Sequence, residues 1–160
     1  MNRFIVSIAL IAMLIVPVAA KGSFAIGAGI EAGQPMGITV DYQYSDVTDI
    51  YAIGGFGFGP ANYIDVAVGA QRNVTGFSIK DAWFDVSIGC QLGALFYFND
   101  AKTFALDGRV TAALSYDWTW ENVGDFTAYL RGGAGLKFDI SGGTSVALAW
   151  SSTLGCIYHF

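Results

Sequence analysis

From residue 23 onward the chain alternates between apolar and polar or small residues with a period of two, the mark of strands with one face in each of two environments. The C-terminal segment shows it well. Thr144, Val146, Leu148, Trp150, Ser152, Leu154, Cys156, Tyr158 and Phe160 share one face, opposite Ser145, Ala147, Ala149, Ser151, Thr153, Gly155, Ile157 and His159. Before it, Phe126, Ala128, Leu130, Leu136, Phe138 and Ile140 oppose Thr127, Tyr129, Arg131, Lys137 and Asp139. Residues 104–120 alternate likewise, with Phe104, Leu106, Val110, Leu114, Tyr116, Trp118 and Trp120 against Asp107, Arg109, Thr111, Ser115 and Asp117. Residues 82–98 set Phe84, Val86, Ile88, Cys90, Leu92 and Phe96 against Trp83, Asp85, Ser87, Gln91 and Tyr97. The first half predicts strands near 23–33, 36–45, 49–58 and 62–72, with Ile26, Ile30, Ile38, Val40, Tyr42, Phe56, Phe58, Ile64, Val66 and Val68 on one face and Glu31, Thr39, Asp41, Asp65 and Gln71 on the other.

Turn residues separate these runs at Gln34-Pro35, Asp46 to Asp49, Gly59-Pro60, Asn99-Asp100, Asn122 to Asp125 and Ser141-Gly142-Gly143, and the longest connection falls at 73–81. The prediction is an all-β fold: eight antiparallel strands closed up-and-down into a barrel. Charge suggests the pairing of its sixth and seventh strands. If residues 122 and 126 flank the turn, Arg109 faces Asp139 and Asp117 faces Arg131; a slip of two residues sets Arg109 beside Lys137, a like-charge pair that costs stability. Charge matching predicts the first register.

Alternation does not say which face looks outward, because a soluble barrel with an apolar interior shows it too. Composition decides. Hydrophobic residues make up 54% of the chain and charged residues 13%, against roughly 25% charged in ordinary globular proteins. The polar face is mostly Gly, Ala, Ser and Thr with one to three charges per strand, too poor to serve as a water-facing exterior. Eight strands enclose little more than their own side chains, which suits small residues and a few charges. The apolar face is therefore predicted to look outward into lipid, a transmembrane arrangement. Outward Trp118 and Trp120 at one strand end, Phe104 near the other, Phe126 and Phe138 bracketing the next strand, and terminal Tyr158 and Phe160 fit aromatic belts at the two water–lipid interfaces.

The first twenty residues read differently. Arg3 precedes an apolar run from Phe4 to Val16, Pro17 breaks it, and Val18, Ala19 and Ala20 end it with small residues, the layout of a helical secretory signal peptide cleaved between Ala20 and Lys21. The expected organisation is a signal over 1–20 and one barrel domain over 21–160. Without Arg3, seven Lys or Arg stand against thirteen Asp or Glu, so no basic stripe for nucleic acid and no polybasic patch for anionic headgroups is present.

Signal, eight alternating strands and aromatic terminus together resemble the small eight-stranded outer-membrane proteins, the OmpA-transmembrane-domain and OmpX-like barrels. The resemblance covers the whole mature chain as pattern, with no motif diagnostic of a subfamily. It implies a monomer in outer-membrane lipid, and a final strand whose Leu154, Cys156, Tyr158 and Phe160 are read by the barrel-assembly machinery. The family has short periplasmic turns and longer external loops. Here all the predicted external loops are short, which weakens a loop-borne receptor role.

Candidate chemistry lies on the inward face: Glu31, Asp41, Asp65, Asp85, Asp107, Asp117 and Asp139 with Arg109, Arg131 and Lys137. Such a set is either a narrow ion path or a plug of paired charges. A small barrel favours the plug, because charges removed from water must be paired and hydrogen-bonded. The excess of carboxylates is unaccounted for. A bound cation is one way to balance it, though no calcium-loop spacing or metal cluster stands out and no cofactor is predicted. His159, the single histidine, could act as a base only beside Ser151 or Thr153, and no catalytic motif accompanies it. The chain is read as a non-enzyme with a structural or surface-interaction role; a small pore or carrier for an apolar solute is the alternative, with inward Trp83, Leu95 and Ile53 as apolar contacts, and a lipid-modifying enzyme comes third. Cys90 and Cys156 fall on strands three apart, too far to bridge.

Overall fold

The computed structural model describes residues 26–58, 62–98, 104–140 and 145–160. These form eight antiparallel strands: β1 (Ile26–Gln34), β2 (Met36–Ser45), β3 (Thr48–Gly57), β4 (Tyr63–Ile79), β5 (Ala82–Tyr97), β6 (Phe104–Trp120), β7 (Gly124–Asp139) and β8 (Ser145–His159). Each pairs with its sequence neighbour, and β1 pairs with β8 to close the ring. No helix is present among the described residues. The signal-peptide reading, with Ala20 and Lys21, lies outside them.

The pairings fix the shape. From Glu31 the directly opposed residues run through Gly37, Gly55, Asp65, Leu95, Ala105 and Asp139 to Ser145. Yet Glu31 itself pairs on β8 with Gly155, ten residues further along. That stagger tilts the strands by about 40° from the ring axis and sets a backbone radius of about 8 Å. Side chains from opposite walls therefore meet in the middle.

The alternation sorts side chains as predicted. Glu31, Asp41, Asp65, Asp107, Arg109, Arg131 and Asp139 are buried, while Ile30, Ile38, Val110, Leu148 and Leu154 lie exposed on the outer face, Leu148 at 84%. The usual order of a soluble core is inverted. The largest buried apolar group is only Tyr51, Ile53 and Ala67.

Two predictions fail. The 73–81 connection is strand: β4 runs on to Ile79, absorbs Val74 as a bulge where the register shifts between Asn73 and Thr75, and turns at Lys80, whose φ is 55°. A bulge lets a strand continue while its alternation slips by one residue, which is why the pattern faded there. The β6–β7 register is also wrong. Arg109 faces Gly135, Ala113 faces Arg131, and Asp117 faces Thr127. The turn is tighter than predicted, with Trp120 opposite Gly124; Asn122 (φ 65°) and Gly124 (φ 140°) supply backbone that other residues rarely adopt. Charge is matched all the same, because Asp107 stands opposite Lys137. Turn geometry, not the Arg109–Asp139 pair, sets the register.

Glycines seat the two large interior rings. Tyr51 is directly opposite Gly69, and Tyr129 directly opposite Gly155. A Cβ on Gly69 or on Gly155 would lie 2.3 Å from the facing ring's Cζ. Gly155→Val should therefore destabilise the folded protein by about 1–3 kcal/mol, measured by urea unfolding, and adding Tyr129→Ala should make the valine nearly neutral. An unchanged midpoint for the single variant would show that Tyr129 does not lie over Gly155.

Candidate functional site

The interior is stacked in three levels. The lower end of the ring carries the turns at 46–47, 80–81 and 121–123; the upper end carries Pro35 and the strand ends at Gly57, Tyr63, Tyr97, Phe104, Asp139 and Ser145.

In the upper level Arg109 from β6 bridges two carboxylates. It donates to Asp65 of β4 at 3.3 Å and to Asp107 on its own strand. All three side chains are shut off from water. Nearer the rim Lys137 donates to the Tyr97 hydroxyl at 3.0 Å and stands 3.8 Å from Asp139, which accepts a hydrogen bond from Ser145.

In the middle level the Arg131 guanidinium lies over two aromatic faces, 3.7 Å from the Tyr51 ring centre and 4.5 Å from that of Tyr129. Glu31 closes the group: its Oε2 accepts from the Tyr129 hydroxyl at 2.8 Å and lies 3.8 Å from Arg131. The planar cation thus gains both a carboxylate and ring quadrupoles in place of water. Tyr51 donates in turn to Gln91 at 3.4 Å.

The lower level is a cavity of about 520 Å³ that reaches the lower rim. Asp41, Asp46, Asp49, Asp85, Asp117 and Asp125 line it, with Gln71, Asn73, Thr127 and His159, and Arg131 is the one Arg or Lys in its wall. Several of the carboxylates have neutral partners: Gln71 donates to Asp49, Trp83 to Asp85, Thr127 to Asp117 and Thr119 to Asp125. The Thr127 hydroxyl proton is committed to Asp117 at 2.6 Å, so its oxygen accepts the His159 Nε2 proton at 2.8 Å. His159 thus contacts neither Ser151 nor Thr153, the partners an enzyme reading requires of it.

All ten residues predicted for the charge network sit on the inward side of their strands, but they do not form one network. Asp65, Asp107, Arg109, Lys137 and Asp139 group above, Glu31 and Arg131 group in the middle, and Asp41, Asp85 and Asp117 line the cavity below. Sequence reasoning put Tyr129 on the inward face without giving it a role, and missed Tyr51 and Asp49. Tyr51 lies on a Gly-rich strand with weaker alternation, and Asp49 falls at a predicted turn. Leu154, Cys156 and Tyr158 lie on the outer face of β8, Phe160 follows its end and is exposed, and both cysteines are free. Among the described residues no group of three or more His, Cys, Asp or Glu is placed to hold a metal ion. No protein-family model, curated protein or solved structure matches the chain.

Arg109 is the testable member. Arg109→Met leaves Asp65 and Asp107 buried without their cation and should cost about 3–5 kcal/mol. Adding Asp65→Asn and Asp107→Asn should recover much of that loss in urea unfolding. A neutral single variant would show that Arg109 does not hold the pair.

Proposed function

We propose that the protein is an integral, non-enzymatic barrel of the bacterial outer membrane, with a structural or surface-interaction role and a lumen closed by charge. The observation that carries this reading is the outer surface. Arg72 aside, no charged residue occupies an outward strand position among the described residues. Aromatic side chains band both ends of that surface. On β5, β6 and β7 they recur twelve residues apart, at Phe84 and Phe96, Phe104 and Tyr116, and Phe126 and Phe138. At the derived tilt twelve residues advance about 30 Å along the axis, the thickness of a bilayer's hydrocarbon core. The lower band is continuous from Phe77 and Phe84 through Tyr116, Trp118, Phe126 and Tyr158 to Phe160. The upper band includes Phe56, Phe58, Phe96, Phe104, Phe138 and Trp150. Between them lie mostly Ile, Val, Leu, Ala and Gly, with Cys90, Ser152 and Cys156 among them.

A closed ring satisfies every strand edge internally, as a membrane requires. The signal peptide read from the sequence supports export, and the resemblance supports a monomer in outer-membrane lipid, inserted by the barrel-assembly machinery. The buried Arg109 and Arg131 clusters support a plug over an open pore. The lower cavity favours a second reading, a small pore or carrier, because it offers an entrance that the plug then closes.

Three measurements test this. In lipid the outer face punishes charge by depth: Val110→Arg, near the middle of the band, should cost about 2–4 kcal/mol, and Trp120→Arg, beyond it, about 0–1. Equal, negligible costs would belong to a water-facing exterior. The folded protein should also run differently on a gel before and after boiling, and should give no steady conductance in planar bilayers. Steady channels would replace the plug by the pore.

A further inference from the structure

The lower cavity holds an imbalance that the rest of the interior does not. In the upper and middle levels, buried acceptors without a hydrogen bond (Glu31 Oε1, Asp65 Oδ1, Asp107 Oδ1) are accompanied by buried donors without one: the Nε and Nη1 of Arg109 and Arg131, and Gln91 Nε2. Small adjustments can join them. On the cavity wall formed by β2, β3 and β4 the unsatisfied buried atoms are acceptors alone: Asp41 Oδ1, Gln71 Oε1 and Asn73 Oδ1. Asp41 is only 5% exposed. A buried carboxylate oxygen without a donor is costly. The donors of the chain on this side include Gln71 Nε2, given to Asp49, the Thr39 hydroxyl two residues before Asp41, and Arg131 at the roof. A cation or donors brought from outside would satisfy all three acceptors at once. Arg131 at the roof is shared with Glu31 and the two tyrosine rings, although its Nε and Nη1 keep no hydrogen-bond acceptor.

The register brings the acceptors together. Asp49 is directly opposite Gln71, and Gln43 directly opposite Asp49. Asp41, two residues from Gln43 on the same inward face, is therefore the diagonal neighbour of Asp49, within reach of a shared ligand. Asn73 follows Gln71 on that face of β4. Two carboxylates and two amide oxygens from three adjacent strands make an all-oxygen set, the chemistry of a hard divalent cation and of calcium in particular, which tolerates irregular geometry.

We propose that the lower cavity is a calcium-type cation site built on Asp41 and Asp49, with Gln71 and Asn73 as neutral ligands and water completing the shell. With two carboxylates instead of three or more, affinity should be modest, with Kd on the order of 10⁻⁴–10⁻³ M. Asp85, Asp117 and Asp125 belong to β5, β6 and β7 and not to the β2–β4 wall that carries Asp41, Asp49, Gln71 and Asn73, so they lend field to the entrance rather than ligands. The inference rests on the interior of the ring and not on what surrounds it, so the lipid-face and conductance tests above can fail without touching it.

The test is titration of the detergent-folded full chain with Ca²⁺ alone, followed by calorimetry, with folding checked by circular dichroism and gel mobility. One saturable Ca²⁺ per chain is expected. Asp41→Asn should weaken binding at least about tenfold, since one of two ligand charges is lost. Asn73→Leu, which keeps both charges, should weaken it measurably, and Asp125→Asn should leave it within about twofold. Absence of saturable binding in folded protein overturns the proposal. So does binding that Asp125→Asn reduces as much as Asp41→Asn, the behaviour of a diffuse acidic mouth. Binding of spermidine without binding of Ca²⁺ overturns it too, in favour of an organic cation.

Discussion

Closure at a ten-residue stagger is the constraint on which the rest depends. Eight strands at that tilt leave a bore of about 8 Å backbone radius, and every inward side chain must fit within it. The inner face accordingly has three kinds of residue: glycine, alanine and small hydroxyls that leave room; a few long side chains that use it; and the glycines that let tyrosine rings lie flat against the wall. Gly69 under Tyr51 and Gly155 under Tyr129 place two rings so that the Arg131 guanidinium can lie over both. Once those rings are seated, Glu31 is the carboxylate in reach, and the middle of the bore is closed.

Much of this was legible in the sequence, for a physical reason. A period-two pattern assigns each residue to one of two faces whatever its partner strand is, so Glu31, Asp65, Arg109 and Arg131 could be placed inside without a register. Pairing was less legible. The β6–β7 register depends on the backbone at Asn122 and Gly124, a property of two residues, whereas the charges at Arg109, Lys137 and Asp139 admit more than one acceptable match. Likewise Val74 hid the last third of β4, because one bulged residue inverts the alternation on either side of it. Long-range partners such as Arg109 with Asp65, or Tyr129 with Glu31, cross strands far apart in sequence. They follow only once stagger and tilt are known.

The interior also explains how so apolar a chain can hold buried charge. In a water-soluble core, Arg109 with two carboxylates would replace hydrophobic burial and gain little for it. Here the hydrophobic contribution comes from the outside, where Ile30, Val110 and Leu154 meet whatever surrounds the ring. The interior is left free to gain specificity from fixed donors and acceptors. Breaking one ion pair then strands its partner in a closely packed space, so the upper and middle levels are stiff.

That stiffness is unequally distributed, and the inequality runs along the axis. Arg109, Lys137 and Arg131 all lie in the upper two levels, while six aspartates gather around the lower cavity with neutral partners or none. Pairing cannot be the reason for those six, since a plug needs cations as much as anions. Nor does narrowness require them, because serine or threonine would fill the same positions without repulsion. What they provide is a negative field at one mouth of a ring whose other end is closed by paired charge, with Arg109 and Lys137 set against Asp65, Asp107 and Asp139. A field of that sign concentrates cations at the mouth, and Asp41, buried and without a donor, marks where the concentration would end in contact.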